Sequence, residues 1–283
     1  MAADLRSVYT ELLGAQVDER RRVLASREGI VAAWLESIAP LRRREPHPAT
    51  PGGRRRPDRA LVHALTQLYA LGRVRDQLLE PGHLDLYHGF MAGIGLVPFE
   101  HDHAFSPFHH ELVEVVADES QGQVTVERVL WGGFMFGDLL FGRAGVRVRA
   151  PAALLDPDVA VRSRLFFTFR RRARPTNDRS HGWGSNSQWA TMFDRFYQDE
   201  GGLHFNWDGA VDLGAEPPVR DGPAGPSPDA ERPLERRREL LVNRCFVRAP
   251  LPDDEPDWYP YDTRLSLRHG AWPIDRAAVV PGP

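Results

Sequence analysis

Apolar side chains recur at helical spacing through the first third of the chain, and at alternate positions through much of the remainder. Leu5, Val8, Tyr9, Leu12 and Leu13 form one helical stripe with Asp4 available as its cap; Ile30, Val31, Trp34, Leu35 and Ile38 form another. Residues 4–39 are therefore expected to make two helices, or one broken near Gly14. The run from Pro40 to Pro57 is rich in Pro, Gly and Arg and reads as a connection. Leu61, Val62, Leu65, Leu68 and Tyr69 predict a third helix over about 58–80, whose second half Gly72 weakens. Residues 83–97 read as a short helix or loop.

From Glu111 the period shortens to two. Strands are expected at 111–117, 123–131, 133–142, 145–150 and 164–171. Their short connections predict antiparallel meander pairing. Trp189, Phe193 and Phe196 have helical spacing and predict a short helix at about 188–199; His204 to Trp207 predict a strand before the turn at Asp208-Gly209. Gly214 to Arg238, rich in Pro, Gly and charge, reads as a flexible insertion, with strands resuming at Leu240–Val247 and Thr263–Arg268. The fold class expected is α+β, with N-terminal helices packed on a mainly antiparallel β-barrel or sandwich. The organisation expected is a helical region at 1–97 and a β-rich region at 98–283, joined in one globular unit.

Composition narrows the function by exclusion. All 36 basic residues are arginine, so no lysine can form a Schiff base, hold pyridoxal phosphate or serve a P-loop. The arginine runs at 42–44, 54–56, 170–172 and 236–238 read as solvated surface, because acidic residues bring the net charge to -3. That balance gives no case for nucleic acid or an anionic membrane as partner. The single Cys245 rules out an intrachain disulfide and a cysteine-rich cluster. No charged region followed by an apolar run opens the chain and no stretch is long and apolar enough to span a bilayer, so a cytoplasmic protein is expected. A homo-oligomer is compatible with these features.

Two stretches carry candidate chemistry. Glu100 to Val116 holds His101, His103, His109 and His110 within ten residues, followed by Glu111. In extended backbone His101 shares a face with His103, and His109 with Glu111, while His110 points away. Imidazoles and a carboxylate converging from a strand are the ligands of a zinc or non-haem iron site. The competing reading is of loop histidines that bond locally or face water. The second stretch, Ser180 to Trp189, offers His181 as a further ligand or acid/base, with Ser185 and Asn186 as polar catalytic groups. Trp183, Gln188, Trp189, His204 and Trp207 are candidates for a substrate wall, against the ordinary reading of such aromatics as core. Ser185 lacks the glycines of a nucleophile elbow, and Cys245 reads as a buried strand residue.

These residues lead to an expected metal-dependent enzyme acting on a small molecule, through oxidative or lyase-type chemistry in bacterial metabolism, with a divalent zinc or iron ion as cofactor. One alternative is a metal-free protein that binds a sugar-like molecule in an aromatic pocket. Another is an interaction or scaffold protein.

Overall fold

In the computed structural model the described residues are 4–44, 59–80, 82–99, 103–160, 193–221, 231–248, 262–274 and 279–280. Helix α1 (Leu5–Leu12) begins where Asp4 accepts the Arg6 backbone N–H at 3.2 Å, and it buries Leu5, Val8, Tyr9 and Leu12. Gly14, at φ +73°, takes the left-handed turn that separates α1 from α2 (Val17–Ser37). A 3-10 turn (Ala39–Arg42) follows. Helix α3 (Arg59–Leu78) runs through Gly72 unbroken, and the stretch 83–97 contains a helix, α4 (Leu84–Gly93). From Ala70 to Leu79 every residue but Gly72 is buried, so α3 carries Arg73, Arg75, Asp76 and Gln77 into the interior.

The strands are β1 (Val97–Pro98), β2 (His110–Ala117), β3 (Thr125–Trp131), β4 (Phe134–Phe136), β5 (Leu139–Gly142), β6 (Ala144–Ala150), β7 (Tyr197–Asp199), β8 (Gly202–Phe205), β9 (Val211–Asp212), β10 (Val219–Arg220) and β11 (Thr263–Leu267). Helix α5 (Pro157–Ala160) follows β6, and α6 (Leu234–Asn243) precedes β11. An eight-stranded sheet has the order β1-β4-β5-β7-β8-β11-β9-β10, and a three-stranded sheet the order β2-β6-β3. The architecture is thus α+β, with N-terminal helices on two mixed sheets that are sandwich-like and not closed into a barrel.

Adjacent residues of β5 separate the cores. Leu139 and Phe141 pack with the helices α1 to α4, whereas Leu140 packs with Phe196, Leu203, Phe205 and the α6 residues Leu240 to Val242. The two faces of the large sheet therefore bury different partners, as the two-residue period of a strand requires. A third cluster, including Leu112, Val126, Val146, Val148 and Cys245, lies under the small sheet.

Four local expectations are corrected. The stretch 133–142 is a hairpin, β4 and β5, turning at Gly137-Asp138. Pairing in the small sheet is not a meander: β2 runs parallel to β6, which lies between β2 and the antiparallel β3. Residues 193–196 form no helix, and Tyr197–Asp199 are strand. Phe193 joins the helix-side core and Phe196 the opposite one, so the two pack in different cores as the chain enters β7. Residues 240–243 end a helix, not a strand. The charged run Leu234–Glu239 supplies its first turns, and the expected insertion boundary at 238 cuts this helix in two. The other end of that insertion contains β10; the expected strand at 164–171 lies outside the described residues.

No helix among the described residues is long and apolar enough to cross a membrane.

Candidate functional site

Among the described residues, His103, His109 and His110 make local contacts and belong to no metal-holding group. His103 is exposed, and its carbonyl accepts the Val126 N–H at 2.9 Å. Ser106 to His109 make a tight turn into β2. There His109 Nδ1 lies 3.0 Å from Ser106 Oγ, and His109 Nε2 lies 2.6 Å from Gln198 Oε1. His110 is buried, and its Nδ1 accepts the Ser106 backbone N–H at 3.0 Å. These contacts fix the turn and occupy ring nitrogens that a metal would need. His101 lies outside the described residues, as do His181, Trp183, Ser185, Asn186, Gln188 and Trp189. No group of three or more His, Cys, Asp or Glu able to hold a metal occurs among the described residues.

His204 is buried on β8, with Nε2 2.9 Å from Asp199 Oδ1 and Nδ1 2.8 Å from Ser266 Oγ on the neighbouring β11. Burial lowers its pKa from the ordinary imidazole value. Burial alone would raise Asp199, but hydrogen bonds from His204 and Arg44 outweigh it and hold the carboxyl at about 2. A neutral ring donating from Nε2 to a carboxylate fits both directions. Trp207 packs edge-on to Tyr197, at 6.4 Å between centroids, against the helix-side core.

Glu111 is drawn into different company. It is buried at the head of β2 and lines a cavity of about 50 Å³ with Arg73, Arg75, Asp76, Arg143, Asp194 and Arg244. Tyr69, Leu140, Phe141 and Phe193 supply its apolar walls. Several elements meet here: the buried half of α3, the ends of β2 and β5, the chain entering β7 and the C-terminal end of α6.

The groups position one another. Asp76 receives Arg73 at 3.4 Å and Arg75 at 3.1 Å. The Arg75 guanidinium lies directly over Gly142, where an added Cβ would have to displace its Nη1. Arg143 donates from Nη2 to the Val242 carbonyl at 2.7 Å and from Nη1 to the Asn243 carbonyl at 3.2 Å. A cation thus caps the negative end of the α6 dipole. Arg244, in the left-handed conformation at φ +61° that ends α6, reaches Asp194 at 2.5 Å. The second Asp194 oxygen, Oδ1, is buried with no hydrogen-bond partner among the described residues.

Sequence reasoning found only Glu111 of this cavity. The signal available was Arg73, Arg75 and Asp76 inside the third helix, but charges on a helix ordinarily face water. Nothing local marks a turn of helix as enclosed.

Comparison with known protein families, curated proteins and solved structures finds no match to this chain. The geometry of the site alone carries its interpretation.

Proposed function

We propose that this protein binds a small anionic molecule in the cavity between α3, β5 and the end of α6. The carrying observation is that Arg73, Arg75, Arg143 and Arg244 are among the residues lining one cavity of about 50 Å³. Guanidinium stays protonated at any physiological pH and presents a planar fork of donors suited to oxyanions. Apolar walls beside a few convergent polar groups are the ordinary make-up of a small-molecule site. The reading keeps the small-molecule partner expected from the sequence and replaces an aromatic recognition surface with an electrostatic one.

The same electrostatics weigh against a divalent metal at Glu111. A cation there would stand among four like charges, and Asp76 and Asp194 are already engaged by arginine. A metal centre built on His101 and His181 draws no support from the described residues.

The test is a thermal-shift and calorimetric titration of the full chain with acetate, glycolate and inorganic phosphate. Ionic strength is matched by sodium chloride. The expected result is a saturable rise in Tm that survives a strong chelator and is lost in Arg75→Met. If none of these anions gives a saturable response, the proposal fails. A response abolished by the chelator returns the metal reading.

A further inference from the structure

We infer that Ser266, His204 and Asp199 form a second, reactive site, in which Ser266 is a nucleophile that takes the acyl group of a small ester. The three residues come from adjacent strands of the large sheet. His204 and Ser266 are direct cross-strand partners on β8 and β11, and Asp199 ends β7 at the turn into β8. Their neighbours Leu203, Phe205, Leu265 and Leu267 pack in the core with α6. Strand alternation therefore sets His204 and Ser266 together on the other face. His204 is buried there while Ser266 is only half-buried, as the approach of an ester to its hydroxyl requires. None of the three lines the anion cavity, so the inference stands apart from that reading.

The direction of each hydrogen bond assigns the roles. Asp199 is ionised and accepts at both oxygens: Oδ2 from Arg44 at 2.8 Å, Oδ1 from the Gly201 N–H at 2.8 Å and from His204 Nε2 at 2.9 Å. A neutral ring with its proton on Nε2 leaves Nδ1 bare, so the Ser266 hydroxyl, 2.8 Å away, donates to it. A hydroxyl aimed at an imidazole whose other nitrogen is fixed by a carboxylate is the chain of groups that activates a serine. His204 is the base, and Asp199 is the positioning residue that holds the tautomer. In the reaction Ser266 Oγ bonds to the ester carbonyl carbon while its proton moves to His204 Nδ1. The ester C–O bond breaks and the departing alcohol takes that proton. Water then attacks the acyl-serine and gives a proton to Nδ1; the carboxylic acid leaves as Ser266 Oγ recovers its proton.

The test treats the full chain with diisopropyl fluorophosphate, which forms an Oγ–P bond and expels fluoride as the serine proton passes through His204 to solvent. Mass spectrometry is expected to find the label on the tryptic peptide 265–268, at Ser266. Ser266→Ala should abolish it, and His204→Gln and Asp199→Asn should slow it at least about a hundredfold. The charged and titratable groups acting on the ring are Asp199, Arg44 and His269. The labelling rate should rise with pH in a step below the ordinary imidazole value, as burial of His204 requires. In Asp199→Asn that step should move lower still, because the carboxylate favours the charged ring; an unmoved step would deny Asp199 its role. Labelling should also stop the hydrolysis of p-nitrophenyl acetate. A cross-strand hydrogen bond of purely structural purpose predicts no label at Ser266, and that result in the wild type overturns the inference whether or not the variants fold. Equal labelling in folded His204→Gln overturns it, as does ester hydrolysis that is absent or survives labelling. None of these failures touches the anion-binding reading.

Discussion

Replacing Arg143 by Met tests whether the cavity wall also holds α6 in place. Arg143 is 3% exposed and donates to the last two carbonyls of α6, Val242 and Asn243, at 2.7 and 3.2 Å. Methionine keeps much of the apolar stem but removes both donors and the charge. Each charge-assisted hydrogen bond contributes about 1.5–3 kcal/mol, and a cation at a partly buried helix C-terminus up to about 2 kcal/mol. Removing a buried guanidinium also recovers its desolvation cost, several kcal/mol. The net loss expected is about 3 kcal/mol, or roughly 6–12 °C in Tm for a domain of this size. Arg143→Lys keeps the charge but lacks the fork that reaches two carbonyls, so it should fall between. Thermal unfolding followed by circular dichroism measures all three proteins. A loss below about 1 kcal/mol in Arg143→Met, with unfolding still cooperative, would refute the claim that this residue joins the sheet to α6.

Gly142→Ala should displace the Arg75 guanidinium, which a Cβ would meet at 1.9 Å, and weaken anion binding about tenfold while costing only about 1–2 kcal/mol in stability. Unchanged titration curves would show that Arg75 is not needed where it lies. Cys245 is fully buried and burial pushes its thiol pKa up, so Ellman's reagent should react slowly with the native protein and fully in concentrated guanidinium. Fast native labelling would contradict the packing at the end of α6. Acid should destabilise the fold in two steps, because both folded-state values lie below the unfolded ones. The His204 contribution is present above about pH 6.5 and lost as pH falls below it; that of Asp199 is lost only between about pH 3.8 and 2. His204→Gln should remove the first step, as read from Tm against pH; its persistence would assign that step elsewhere.

The three N-terminal helices, the break at Gly14 and most strands of the small sheet were legible in the sequence. Their signal is local: an amphipathic face repeats within a few residues, and Gly14 sits just past the end of one such face. What the sequence could not display were matters decided by distant neighbours. Phe193 and Phe196 carry helical spacing yet pack in different cores, which are supplied by other parts of the chain. Leu240 to Val242 are apolar enough for a strand, but they bury as a helix against β11. The histidines that dominate the sequence fix a turn, while Glu111 beside them belongs to a cavity whose arginines come from positions 73, 75, 143 and 244. Charge is a property of a residue, but whether it lies in water or in an enclosed cluster depends on what packs around it, and only the tertiary structure decides that.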